Sequence, residues 1–263
     1  MDIIVEYISK SWRYRFLCTH LVGSDLRSRF RRSHLGILWA MLQPMLLAML
    51  FATVLAKLFN QPFRDQALYV FSGVVAWELF TSAVMGGSHA LINVEGFLRQ
   101  SRIPLLVFHV RAALVNVSIG ALGCLGFSIF CAVIAPDIFS IYWVFLPVWF
   151  AVIFVFSIPV IIVSSIVNVL FRDYQQAIGV LMQALWYVSP AFIPRHVFDA
   201  PGIIHWTNVN PAASLLDLFR DPMIYHRLPE VHDFLNLGAW TVGLTCLAVG
   251  LLARYERKII FLF

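Results

Sequence analysis

Apolar residues fall into six long runs, at about 35–59, 67–92, 103–135, 139–169, 174–193 and 234–253, with few charges inside them. A helix needs about 20 largely apolar residues to cross the hydrocarbon core, so each run predicts one spanning helix. Pro147 and Pro159 predict tilt or a kink in the fourth run, and Pro136-Asp137 a tight turn before it. Ahead of the first run the pattern changes. Ile4, Ile8, Trp12 and Phe16 recur four apart with Val5 beside them, while Glu6, Lys10 and Arg13 take other faces. Residues 4–16 are therefore predicted to form an amphipathic helix along the membrane surface, either a passive anchor or a docking element for a cytoplasmic partner. The segment 194–233 is semi-apolar, with Ile203-Ile204, Trp206, Leu215-Leu216 and Leu218-Phe219 broken by Pro201-Gly202, Asn210-Pro211 and Asp221-Pro222. It predicts one or two short helices half-inserted at the outer face, because non-helical backbone at that depth must be sheltered.

The predicted fold is an all-α polytopic membrane protein: six transmembrane helices, an N-terminal amphipathic interfacial helix, and short half-inserted helices in the last extracytoplasmic loop. Residues 1–34 form a cytoplasmic amphipathic and basic segment, 35–254 the six-helix domain with its extracytoplasmic segment 194–233, and 255–263 a cytoplasmic tail.

Composition agrees. With 60% hydrophobic residues, 13% charged residues and a mean hydropathy of +0.82, a soluble enzyme, a DNA-binding domain and a disordered scaffold are excluded. The net charge of +5 resembles a nucleic-acid signal until the charges are placed. Seven of the 19 basic residues (Lys10, Arg13, Arg15, Arg27, Arg29, Arg31, Arg32) precede position 34, where they meet anionic headgroups. Together with Arg99, Arg102, Arg172, Arg254, Arg257 and Lys258, they put both termini in the cytoplasm. No nucleic-acid-binding module accompanies them. The four cysteines contain no C-x-x-C, so neither a disulfide framework nor a zinc site is expected, and the charged N-terminus does not read as a cleavable signal peptide.

Candidate chemistry is sparse. The chain has no Walker A, H-E-x-x-H or G-x-S-x-G sequence, so it is expected not to be an enzyme and to bind no cofactor of its own. None of the eight histidines pairs at ligand spacing; His205, His226 and His232 share the outer segment, and no metal is expected. Intramembrane polar groups carry more weight, since burying a charge in hydrocarbon is costly. Glu78, read as a third of the way into the second span from outside, could line a pathway, bond across a helix interface or be protonated and inert. Lys57 and Arg111 are expected to snorkel to headgroups. Gly120, Gly123 and Gly126 form a small-residue stripe suited to close helix packing. Trp186 and Tyr187 lie inside the fifth run, where they suit either stacking on sugar C–H faces or ordinary packing. A membrane glycosyl- or acyltransferase would need acid/base groups at one face; Glu78 and His109 read as lying near opposite faces. No internal repeat is visible.

Several motifs carry a resemblance in order. The run Asp25-Leu26-Arg27-Ser28-Arg29-Phe30-Arg31-Arg32-Ser33-His34-Leu35-Gly36-Ile37-Leu38-Trp39-Ala40, ending at Gln43-Pro44, resembles the opening of ABC-2 type permeases that export polysaccharides. Ser72-Gly73-Val74-Val75-Ala76-Trp77, Phe97-Leu98 through Arg102-Ile103-Pro104, Phe171-Arg172-Asp173-Tyr174 followed by Tyr187-Val188-Ser189-Pro190, and Asn210-Pro211 are similar to later signatures of that family. Glu78 departs from its pattern, in which a neutral residue is commoner. The resemblance implies a homodimer in the bacterial inner membrane, among membrane lipids, with two copies of a cytoplasmic ABC ATPase that binds ATP and magnesium. By that analogy Tyr7, Trp12 and Arg13 of the first helix, and Glu95, Phe97, Arg99 and Arg102 of the 93–103 loop, form the ATPase-coupling interface. Arg27, Arg29, Arg31 and Arg32 would receive a lipid pyrophosphate, because arginine binds phosphate through paired donors. Trp77, Glu78, Trp186 and Tyr187 would line the substrate pathway. The expected cargo is a lipid-linked polysaccharide of O-antigen type on a polyprenyl pyrophosphate; capsular polysaccharide, teichoic acid, or a drug or lipid are the alternatives.

Overall fold

The computed structural model describes residues 2–31, 33–100, 103–198, 206–256 and 258–259, and among them every regular element is helical. Helix α1 (Asp2–Arg13) and helix α2 (Arg15–Phe30) are separated only by Tyr14. The surface helix expected over 4–16 therefore continues, after a one-residue break, into the basic run. A turn through Gly36, whose φ of +51° suits glycine, leads into α3 (Gly36–Leu58). Next come α4 (Phe63–His89), the short α5 (Glu95–Gln100), α6 (Leu105–Ile134) and α7 (Ile141–Leu170). The chain closes with α8 (Tyr174–Val188), α9 (Arg195–Phe198), α10 (Trp206–Val209), α11 (Pro211–Met223) and α12 (Val231–Tyr255).

Five of these helices, α3, α4, α6, α7 and α12, are long and apolar enough to cross a membrane. The fifth apolar run differs from expectation. Its helix α8 has 15 residues, about 22 Å at 1.5 Å per residue, short of the roughly 30 Å hydrocarbon thickness. The cause is local: Ser189 precedes Pro190 and is extended (φ −102°, ψ 149°), as a residue before proline prefers. Beyond it, Ser189–Phe192 is buried non-helical backbone.

Helix α4 is the centre of the fold. Val70–Trp77 is buried throughout, packed among α3, α6 and α11. Within the segment 194–233, α11 is buried in protein. Ala212–Phe219 is apolar on nearly all faces and, apart from the less buried Asp217, is buried against α4 and α12. Trp149 Nε1 donates to the Leu215 carbonyl at 3.2 Å and Asn236 Nδ2 to Ser214 Oγ at 2.8 Å, fixing α11 to α7 and α12. The glycine stripe packs as expected. A Cβ at Gly120 would lie 2.3 Å from Leu79, and one at Gly126 would lie 3.1 Å from Met41.

Helix α2 is held on α6 by an ion pair. Arg111 Nε donates to Asp25 Oδ2 at 2.6 Å, and Nη2 donates to Oδ1. Arg111, expected to reach for headgroups, instead finds a carboxylate in two-pronged geometry, which wins where both groups are partly dehydrated. Asp25→Ala should lower the thermal midpoint in detergent by roughly 5 °C, and the Asp25→Arg/Arg111→Asp exchange should recover part of it. An unchanged midpoint for Asp25→Ala would show that the clamp holds nothing.

Candidate functional site

Three of the sequence motifs converge on one residue that sequence reading passed over. Arg220 of α11 is 1% exposed. Its Nε donates to Ser72 Oγ at 3.2 Å, Nη1 to the Pro190 carbonyl, and Nη2 to the Tyr69 and Ala191 carbonyls at 3.0 and 2.6 Å. The guanidinium also lies 3.7 Å from the centre of the Tyr69 ring. Gly73 makes this possible, since a Cβ there would sit 1.8 Å from the Ala191 carbonyl oxygen. Asn210 joins the same knot: its Oδ1 accepts from Ala212 N and caps α11, while its Nδ2 donates to Ser189 Oγ at 2.8 Å. The break in the fifth run is thus satisfied by α4 and α11, as backbone sheltered in protein must be.

Farther along α4 from this knot, toward α2, lies a cavity of about 350 Å³. Arg29 of α2, Trp39 and Gln43 of α3, and Trp77, Glu78 and Thr81 of α4 are among its lining residues. Glu78 sits just past the midpoint of α4, not a third of the way in from outside. The helix begins at Phe63, four residues before the apolar run, and its polar first turn had been read as loop. Asn116 Nδ2 donates to the Leu79 carbonyl at 3.0 Å, whereas Thr81 Oγ1 is buried with no hydrogen-bond partner among the described residues.

A second cavity of about 710 Å³ adjoins the first, lined by Ser28, Arg29, Ser82, His89, Asn93 and Arg111 among others. Arg29 borders both. Arg27 and Arg31 lie two residues either side of it, roughly 200° around the helix, and are exposed. Arg32 lies outside the described residues.

The aromatic candidates meet. Trp77 and Trp186 contact edge to face at 5.1 Å between ring centres, and Trp186 stacks on Phe192 at 5.5 Å. Tyr187 touches Phe192 at 6.2 Å and is 56% exposed. It shares one exposed face of α8 with Gln176, Val180 and Gln183.

Between the start of α4 and α11, a cavity of about 680 Å³ is lined by Gln66, Tyr69, Arg195, Asp217, Asp221 and Arg227 among others. Arg195 pairs with Asp217 and donates to Asn208 Oδ1 at 2.7 Å; Arg227 Nη2 pairs with Asp221 at 2.9 Å. Burial pushes the Asp217 carboxyl up to about 6, against the pull of Arg195 and Arg220. A carboxyl with a folded pKa above its ordinary value favours folding most when protonated. Its contribution is therefore full below about pH 4, falls as pH rises from 3.8 to about 6, and is constant above. Asp217→Asn should flatten that part of the stability–pH curve in detergent; an identical slope in the variant would assign the slope elsewhere. Among the described residues, no three histidine, cysteine or carboxylate side chains are grouped to hold a metal.

Among the ATPase-coupling candidates, Arg99 pairs with Glu95 at 2.7 Å along α5, and Phe97 is 47% exposed. Trp12 is 68% exposed, Arg13 is exposed, and Arg15 lies over the Phe16 ring at 4.5 Å. Tyr7 faces inward: its hydroxyl accepts from Leu106 N at 3.4 Å, and burial with the adjacent Glu256 carboxylate raises its pKa. Arg102 lies outside the described residues.

Curated relatives share this length and arrangement of sequence. The chain is 24% identical over 242 residues to the O-antigen export system permease protein RfbA of Myxococcus xanthus, covering 92% of this chain and 93% of the relative. A protein of the same name from Klebsiella pneumoniae is 20% identical over 239 residues, covering 86% and 88%. Residues 17–224, from the start of α2 through α11, match the family model for the ABC-2 type transporter. That segment holds the Arg29 cavities, the α4 core and the Arg220 knot, and by this match the chain belongs to the ABC-2 type transporter family.

Proposed function

We propose that this chain is the transmembrane subunit of an ABC exporter that moves a lipid-linked polysaccharide of O-antigen type outward across the bacterial inner membrane. The observation that carries the reading is Arg29 at the boundary of two cavities, one of which runs along α4 to Glu78 and Trp77. A lipid pyrophosphate travelling in the inner leaflet meets Arg29, with Arg27 and Arg31 adding positive potential on the opposite face of α2. The polar chain then follows α4 toward the Trp77–Trp186–Phe192 aromatics, whose faces tolerate a sliding sugar. Capsular polysaccharide and teichoic acid carriers offer similar phosphate-and-sugar chemistry; the names of the relatives favour O-antigen.

Two copies of the chain act together in this reading. The exposed face of α8 carries Gln176, Gln183 and Tyr187, a polar stripe that is unfavourable against lipid tails and suits a shared, partly hydrated path. Both termini lie in the cytoplasm, as the basic segments at 10–32, 99–102, 172 and 254–258 support. ATP is hydrolysed on a separate subunit, present in two copies. Its closure pushes on α5, through Phe97 and the Glu95–Arg99 pair, and on the exposed Trp12 and Arg13 of α1. Tyr7, half-buried and hydrogen-bonded to Leu106 N, passes the load from α1 to the start of α6.

The test is purification of the tagged chain from its native membranes in mild detergent, with quantified partners and an ATPase assay. The reading expects a soluble ATPase at one copy per copy of this chain, with nucleotide hydrolysis. A chain that comes down alone and inactive would move the function to a channel or a membrane transferase.

A further inference from the structure

The inner cavity holds one carboxylate for which phosphate binding has no use. Of its lining residues only Arg29 and Glu78 are charged, and neither forms an ion pair among the described residues. They border the space from two helices, Arg29 at the end of α2 and Glu78 near the middle of α4, close enough for their charges to interact. A carboxylate at that depth repels a phosphate, so the anionic group of a lipid-linked substrate stops at Arg29 and something neutral lies beside Glu78. A carboxylate is acceptor-only, with room for several hydrogen bonds, and neighbouring hydroxyls of a sugar are matching donors.

The remaining walls fit the same ligand. Thr81, one turn from Glu78, has a buried hydroxyl oxygen with no hydrogen-bond partner among the described residues. Gln43 brings an amide from α3, and Trp39 and Trp77 bring apolar ring faces. A purely apolar lipid conduit would leave the Glu78 and Thr81 groups unsatisfied, at a penalty for each.

We propose that Glu78, with Thr81 and Gln43, forms the subsite for the first sugar of the lipid-linked chain, the one joined to the phosphate that Arg29 receives. This rests on the export reading above and deepens it: Arg29 takes the anion, and Glu78 reads the hydroxyls of the adjoining sugar. Two parts of one ligand are thereby distinguished by two residues of opposite charge.

The experiment uses the full-length chain with its ATPase partner in lipid nanodiscs and two synthetic probes, a prenyl diphosphate and the same diphosphate bearing one hexose. Binding is followed by tryptophan fluorescence. The wild type should bind the hexose-bearing probe at least tenfold more tightly than the bare one, the size of a charge-assisted hydrogen bond. Glu78→Leu should erase that preference and leave the affinity for bare diphosphate unchanged or higher. Thr81→Val, close in shape, should reduce the preference without affecting folding. Arg29→Gln should weaken both probes. Equal binding of the two probes by the wild type, or equal loss of both in Glu78→Leu, would overturn the subsite while leaving the export reading standing. A wild type that binds neither probe would overturn both.

Discussion

Arg220→Leu should yield no monodisperse protein on extraction from membranes. The change removes the donors to Ser72, Tyr69, Pro190 and Ala191 at once; the Tyr69 hydroxyl still reaches the Pro190 carbonyl and Ser72 Oγ the Tyr69 carbonyl, while the Ala191 oxygen loses its donor outright. Hydrogen bonds to a charged group are each worth about 1.5–3 kcal/mol. Their combined loss is therefore on the order of 5 kcal/mol or more, comparable with the whole stability of an ordinary domain. Arg220→Lys should rescue little, because one ammonium cannot span acceptors that a planar fork reaches from both edges. Size-exclusion chromatography of a fluorescently tagged protein gives the readout. A normal elution peak and thermal midpoint for Arg220→Leu would mean that Ser189–Phe192 is held by something else.

Gly73→Ala is the second severe change, and it adds a single methyl group. The new carbon would fall 1.8 Å from the Ala191 oxygen, 2.8 Å from its carbonyl carbon and 2.4 Å from Arg220 Nη2. Backbone cannot move aside as a flexible side chain does, so Ser189–Phe192 would have to leave α4. A fall in thermal midpoint of roughly 10 °C or more is expected, from overpacking together with lost hydrogen bonds. Gly123→Ala is the matched control, because its nearest neighbour would be Val75 at 3.7 Å, an ordinary contact. Its midpoint should stay within about 2 °C of wild type. Similar behaviour of the two variants would remove the reason given for glycine at position 73.

Hydropathy made the spanning helices legible because the transfer of a run of side chains into hydrocarbon is a local sum. What it could not see were pairings between distant segments. Arg111 read as a snorkelling cation because Asp25 lies 86 positions away in sequence, and the two meet only once α2 has docked on α6. Arg220 drew no attention in the sequence because most of its acceptors are backbone carbonyls, which no composition reports. The fifth run was apolar enough to span, yet the Ser189-Pro190 pair ended its helix early, and only the partners at Tyr69 and Arg220 make that break tolerable.

The candidate site was legible in part. Arg29 and Glu78, chosen from separate stretches of sequence, line one cavity, and Trp77 contacts Trp186. The cluster of arginines was not resolved into its members by sequence, whereas helical geometry sets Arg29 on the cavity side and Arg27 and Arg31 away from it. Gln43 entered only as the end of the opening motif, and Thr81 carried no signal in the sequence, since an isolated hydroxyl in an apolar run is common and its missing partner is visible only in three dimensions.

ATP-driven transfer in proteoliposomes tests the export account most directly. The chain and its ATPase partner are reconstituted so that added ATP reaches the outward-facing ATPase, with a fluorescent lipid-linked glycan in the outer leaflet and an impermeant glycosidase outside. The account predicts that ATP makes the glycan progressively resistant to the enzyme as it moves into the lumen, and that a non-hydrolysable analogue does not. Steady ATP hydrolysis with the glycan remaining fully accessible would contradict it.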